Sequence, residues 1–167
     1  MEFQDLIFIG DIILQAKIAQ RASERLNSTN ENFDRLEVWC SIQSILAAVG
    51  NVSKILWPSY KYKIRGERLR QILSVEEKNL LSNRKFRNHF EHYDERIEEW
   101  FESCSGGVYV DLAMNPCLSG NMNCHRGYNS FNNTLIFRGA SFDLAEVLNA
   151  LDEISEKCKP YVLTEIY

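Results

Sequence analysis

The chain has 167 residues, of which 45% are apolar, 11% aromatic and 25% charged, enough to bury one substantial core but not two independent ones. Three prolines and eight glycines exclude a collagenous or low-complexity chain, and a net charge of −4, from 23 acids against 19 bases, excludes a globally basic nucleic-acid binder. Five scattered cysteines, an odd number, with no basic apolar leader argue against a disulfide framework and for a reducing cytoplasm.

From Phe3 to Leu26 the residues Leu6, Ile9, Ile13, Ala16 and Ala19 recur at three- and four-residue steps, which predicts a first helix closed by the polar cluster 27–32. Its apolar run, residues 6–14, is broken by Gly10 and Asp11 and is about half the ~20 residues a membrane span needs, so no membrane segment is expected. A second helix is predicted from about Phe33 to Trp57, with Trp39, Ile42, Leu46, Val49, Val52 and Leu56 on one broad face and Pro58 ending it. Glu37, Ser41 and Ser44 read as its solvent side, and the two helices are expected to run antiparallel.

Residues 58–70, PSYKYKIRGERLR, carry Lys61, Lys63, Arg65, Arg68 and Arg70 against Glu67 alone and read as a basic connector. Tyr60 and Tyr62 interleave with the lysines, a pattern suited to base stacking beside phosphate contacts, so these five bases are the candidate RNA-binding residues. The same segment also fits a solvated connector that pairs with an acidic helix end. Ser74-Val75-Glu76-Glu77 reads as a capping box that starts a helix. With a second cap at Ser82-Asn83, the stretch from Val75 to Glu102 is one helix, or a short helix followed by a longer one.

Past Ser103, VYVDLAM (108–114) and TLIFRG (134–139) predict an antiparallel β-hairpin with a long polar connection, in which six residues between 115 and 134 are asparagine. Cys117, Cys124 and His125 lie in that connection and read as loop residues rather than a zinc site, because no CxxC pair and no fourth ligand accompany them. A last helix is predicted after Ser141, with Leu144, Val147, Leu148, Leu151 and Ile154 inward. The expected fold class is mainly α: an up-and-down helical bundle with a small β-hairpin insertion before the last helix. It forms a single domain over residues 1–167, with 103–140 as the insertion.

Most of the chemistry lies in residues 86–100, FRNHFEHYDERIEEW. Phe86, Phe90, Tyr93, Ile97, Trp100 and Phe101 recur at helical spacing and predict a buried stripe. On an ideal helix His89 lies about 70° from the stripe and His92 about 130°, with Asn88 sharing the polar face of His92 and Arg87 about 90° away on the other side. Arg87 and His92 then meet through the reach of the arginine, through a kink or helix start near Ser82-Asn83, or through a second copy of the helix; this favours a site at an interface. Histidine exchanges protons near neutral pH and the arginine fork holds phosphate, so the pair suits nucleolytic chemistry. Pairing of Arg87 with Glu91 would instead leave His92 an ordinary solvated residue. His89 and His92 lack the HExxH arrangement of a helical metal site, and His89 reads as core-flank packing. Residues 58–87 hold nine bases and three acids, whereas 88–102 hold one base and six acids, so attraction to RNA is expected only locally.

This segment, with ILWP (55–58) and RGERLR (65–70), resembles the HEPN superfamily over residues 1 to about 102. The motif of that superfamily is an arginine, usually followed by a polar residue, then a histidine after four to six intervening residues; Arg87, Asn88 and His92 match it. More narrowly, RNHFEHYDERIEEW is similar to a group of bacterial HEPN-like proteins sharing an RNH-x-EH-x-DER core. The resemblance implies a HEPN-like helical bundle that is a homodimer and a metal-independent ribonuclease of a toxin–antitoxin or phage-defence system. RNA is then the substrate, an antitoxin or other protein a partner, and no cofactor is needed. In the family scheme the ribose 2′-hydroxyl attacks the adjacent phosphate, His92 is the general acid or base, Arg87 steadies the phosphate charge, Asn88 orients the motif, and two motifs face each other across a dimer axis. The other expectation is a non-catalytic module that holds RNA, a nucleotide or a protein with the same helix. HEPN toxins paired with a nucleotidyltransferase antitoxin often place a tyrosine two residues after the histidine, where this chain has Asp94; Tyr93 falls on the predicted stripe, so that modification is not implied here.

Overall fold

The computed structural model describes residues 1–83, 91–103, 108–115, 124–138 and 140–162. Five helices, α1 (Phe3–Ser28), α2 (Arg35–Leu56), α3 (Lys63–Ile72), α4 (Tyr93–Ser103) and α5 (Leu144–Cys158), make these residues mainly helical. The remaining regular structure is a small sheet of β1 (Ala113–Met114), β2 (Arg126–Asn129), β3 (Thr134–Phe137) and β4 (Ala140–Asp143). The chain divides into two compact units, residues 1–87 with 147–167, and residues 88–146.

In the first unit α1 and α2 form the expected antiparallel pair, tied near one end by Arg25 to Glu37 at 2.9 Å and further along by Asn51 to Gln15 at 3.2 Å. Ile9, Ala16 and Ala19 of α1 are buried as predicted, but the inward face centres on the fully buried Ile12, and Leu6 and Ile13 sit half-buried on its margins. The carboxylate of Asp34 starts α2 by accepting from the Leu36 and Glu37 amides at 2.9 and 3.2 Å. All six predicted core residues of α2 are buried, and so are Val38, Ile45, Ala48 and Ile55, which marks a helix covered around most of its circumference. That corrects one reading: Ser41 is not on a solvent side but fully buried, donating to Glu37 at 2.9 Å, the same carboxylate that holds Arg25.

The basic segment is a helix rather than a connector. A 3-10 turn at Tyr60–Tyr62 leads into α3, whose Arg, Glu, Leu and Gln residues favour helix and whose Leu69 is fully buried. Gly66 lets α3 lie against the end of α2, since a Cβ there would stand 2.7 Å from the Leu56 carbonyl oxygen and closer still to Pro58 Cδ. Gly66→Ala is therefore expected to lower stability by about 1–2 kcal/mol in urea unfolding, the clash with rigid groups outweighing the better helix propensity of alanine.

Ser74 does not start a helix. It takes a left-handed conformation (φ 51°), with its amide bonded to Gln71 O and the Val75 amide to Arg70 O, which is the Schellman closure of α3. The residues beyond it form turns and a short 3-10 turn at Leu80–Ser82, capped by Asn79, so the predicted helix is absent over 75–83. The end of α3 is tied to the returning chain by Lys157 Nζ to Ser74 O at 2.9 Å and by the Tyr161 hydroxyl to Ile72 O at 3.0 Å. Asp143 caps α5, whose Leu144, Val147, Leu151 and Ile154 are buried as predicted, with Leu148 half-buried. Burial pushes the Cys158 thiol up to about 12, so it packs as an apolar group.

The sheet of the second unit differs from the predicted hairpin. Its order is β1-β2-β3-β4: β3 pairs antiparallel with β2 and β4, β1 runs parallel to β2, and only Ala113–Met114 of VYVDLAM is strand. The partner of TLIF is RGYN, drawn from the segment read as loop, with Tyr128 opposite Leu135. Asparagines supply the turn chemistry: Asn129 Oδ1 accepts from the Phe131 amide at 3.0 Å, Asn133 takes a left-handed φ of 54°, and Asn115 Oδ1 accepts from the Ser130 amide at 2.8 Å.

Candidate functional site

Of the three motif residues, His92 lies among the described residues, whereas Arg87 and Asn88 lie outside them, as do His89, Phe86 and Phe90. His92 stands immediately before α4, where its carbonyl accepts from the Arg96 amide at 3.1 Å, the geometry of a helix N-cap. The ring is exposed, and its Nδ1 lies 3.2 Å from Glu95 Oε1, which fixes one nitrogen beside a carboxylate. Glu91, Asp94 and Glu95 are all exposed, so the His92 end of α4 has an acidic, solvated surface.

The predicted stripe is only partly buried. Trp100 is buried, packed edge-on to Tyr109 at 5.0 Å, and Ile97 is half-buried, but Tyr93 is 50% and Phe101 60% exposed. Tyr93 presents its ring to Arg126 at 5.9 Å, and Phe101 stacks on Tyr109 at 5.6 Å. Glu99 anchors α4 through Arg96 and, at 2.5 Å, through Arg138, and these two guanidinium groups hold its carboxyl below the ordinary value.

Sequence reasoning missed the polar cluster behind that helix. Arg126 grips Asp111 with two bonds, Nε to Oδ1 at 2.9 Å and a terminal nitrogen to Oδ2 at 2.6 Å. Beside them His125 is buried, with its ring 5.6 Å from Tyr109 and 5.0 Å from Phe137, and neither ring nitrogen has a hydrogen-bond partner among the described residues. His125 and the buried Cys124 thus belong to the interior of the second unit rather than to a polar loop; Cys117 lies outside the described residues. Among the described residues no group of three or more His, Cys, Asp or Glu side chains has the placement to hold a metal ion.

Burial lowers the pKa of His125, helped by the charges of Arg126 and Arg138 and opposed by Asp111. The unfolded chain takes up this proton near pH 6.5 and the folded ring does not, so stability is expected to fall as pH drops below about 6.5 and to level off once the folded ring protonates. Urea midpoints measured from neutral to mildly acidic pH check this; a His125→Phe variant should lose that slope.

The candidate RNA-binding residues divide. Lys61 and Lys63 are exposed, Lys63 facing Glu67 at 3.4 Å. The three arginines turn to their own chain. Arg65 lies over Phe8 at 4.5 Å and donates to Lys54 O at 3.1 Å, Arg70 donates to Leu56 O, and Arg68 clasps Asp5. Asp5 is fully buried at the start of α1; burial alone would raise its pKa, but the Glu2 amide at 2.7 Å and the Arg68 guanidinium hold it below the usual range.

Among the described residues no helix is long and apolar enough to cross a membrane. Comparison with protein-family models, with curated proteins and with solved structures finds no match for this chain.

Proposed function

We propose that this chain is a metal-independent ribonuclease of the HEPN type, acting as a homodimer in a toxin–antitoxin or phage-defence setting. The observation that carries the reading is the string RNHFEHYDERIEEW, supported by the exposed imidazole of His92 at the head of α4. In the reaction, the substrate's 2′-oxygen forms a bond to phosphorus as its proton leaves, and the bond from phosphorus to the 5′-oxygen breaks as that oxygen gains a proton. The products are a 2′,3′-cyclic phosphate and a 5′-hydroxyl. His92 moves one of these protons, Arg87 balances the charge on the non-bridging oxygens, and Asn88 orients the pair.

One observation favours a second reading, a non-catalytic binding module: the exposed acids around His92 repel a polyanion. Incubation with structurally diverse RNAs in EDTA separates the two. Cleavage by the wild type, blocked by a 2′-deoxy substitution at the scissile nucleotide and lost in Arg87→Ala and His92→Ala, supports the nuclease. Retained cleavage in either variant removes the role assigned to that residue. Binding without cleavage selects the module.

A further inference from the structure

Three side-chain ties hold α4 to the rest of the second unit, and each ends on a residue that adjoins His125. Tyr93, in the first turn of the helix, lies 5.9 Å from the Arg126 guanidinium; Glu99, further along, is held by Arg138 at 2.5 Å; Trp100 and Phe101 pack on Tyr109 at 5.0 and 5.6 Å. Arg126 follows His125 at the start of β2, the Arg138 amide donates to the His125 carbonyl at 3.0 Å, and the Tyr109 ring lies 5.6 Å from the imidazole. His125 itself is only 1% exposed. Among the described residues, Asp111 before β1, Arg126 of β2 and Arg138 after β3 are the charged groups that face its ring, and Glu99, with Arg96, reaches it through Arg138. Two carboxylates thus already meet three guanidinium groups while the ring is neutral.

We infer that His125 is an acid-operated latch: a proton on its ring releases α4 from the rest of its unit while the first unit stays folded. An imidazolium at this position adds a further positive charge and a second N–H donor to the interior. The carboxylate that faces it, Asp111, already takes two bonds from Arg126, at 2.9 and 2.6 Å. Turning Asp111 to the ring strands Arg126, whose side chain is 13% exposed, and leaving it in place strands the ring. Opening the unit to water removes the conflict. Because Arg126, Arg138 and Tyr109 are also the anchors of α4, that helix is what comes away. Linkage gives the direction: burial and the two guanidinium groups outweigh Asp111 and keep the closed ring below its ordinary value of 6.5, so the opened form takes up the proton first and acid favours opening. Asp111 and Glu99, both held below their ordinary values, stay charged through that range. The inference does not rest on the ribonuclease reading, and its test involves no RNA.

Amide hydrogen exchange of the full chain, followed by mass spectrometry at about pH 7.5 and pH 5.5 and divided by the intrinsic rates, tests this. The opening constant of α4 is expected to rise in acid by up to about tenfold, while α1 and α2 stay as protected as before. His125→Phe should remove the rise. Glu99→Gln, which cuts the Arg138 tie, should raise the constant about two- to fivefold at both pH values and leave its pH dependence in place. Proton NMR of the wild-type imidazole covers the case in which His125→Phe does not fold: the ring of the closed form should titrate below about pH 6.5. A ring that titrates at or above that value, an α4 equally protected at both pH values, an equal loss of protection in α1 and α2, or a rise retained in His125→Phe would each overturn the proposal.

Discussion

Replacing His92 by alanine is expected to slow RNA cleavage by about 10²- to 10⁴-fold, the usual contribution of a positioned acid or base, while shifting unfolding by no more than about 0.5 kcal/mol. The second half of this expectation comes from the exposed ring of His92, whose described side-chain partner is the solvated Glu95, an exposed pair of little energetic weight. A large kinetic loss without a thermal one therefore assigns the residue to chemistry. Single-turnover cleavage beside urea unfolding of the same preparation checks both halves. A variant that cleaves as fast as the wild type removes His92 from the reaction, and one that unfolds in step with its loss of activity assigns it a structural role.

Arg68→Ala should have the largest effect on stability, about 3–4 kcal/mol at neutral pH, because it strands the fully buried carboxylate of Asp5 with only the Glu2 amide as a described partner. The ceiling follows from the alternative open to that carboxyl, which is to take up a proton. Holding a group of ordinary pKa 3.8 protonated at pH 7 costs about 4 kcal/mol, at about 1.4 kcal/mol for each pH unit. The loss therefore depends on pH. In the wild type the lowered pKa contributes stability above about pH 4 that is lost in acid; in the variant the raised pKa makes stability fall as pH rises, so the two converge toward pH 4. Adding Asp5→Asn, which keeps an acceptor for the Glu2 amide without the charge, should recover at least half of the loss. Urea unfolding at neutral and acidic pH tests this, and a pH-independent difference would mean that packing of the arginine stem, not the ion pair, is what Arg68 supplies.

Periodicity served well where one face of a long helix is apolar. The bounds of α1 and α2, and the inward residues of α2 and α5, follow from it because burial of such a face decides the structure. It failed where local hydrogen bonding outweighed pattern. Ser74 fits a capping box as sequence, yet it directly follows Leu73, the C-cap of α3, and closing that helix with two backbone bonds uses the same residue in the opposite sense. RGYN shows no apolar alternation, so β2 was hidden, although its asparagine-rich turn was present as composition. A run of bases in PSYKYKIRGERLR looked like a surface for polyanions; for Arg65, Arg68 and Arg70 the partners are a ring, a carboxylate and a carbonyl of the same chain, which charge counting cannot distinguish. Asp111 and Arg126, fifteen residues apart, share no motif, and neither spacing nor composition announces a pair that only the sheet brings together.

The order in which the polypeptide emerges from the ribosome gives the two-unit division a consequence. Residues 88–146 interrupt the other unit, whose portion 147–167 is synthesised after them. A nascent chain paused after residue 146 already contains the whole of the nested unit, whereas the enclosing one still lacks the Lys157 and Tyr161 ties to the end of α3. The nested unit is thus placed to mature before the enclosing one during translation, and α1, α2 and α3 must wait for residues made after position 146 before their unit is complete.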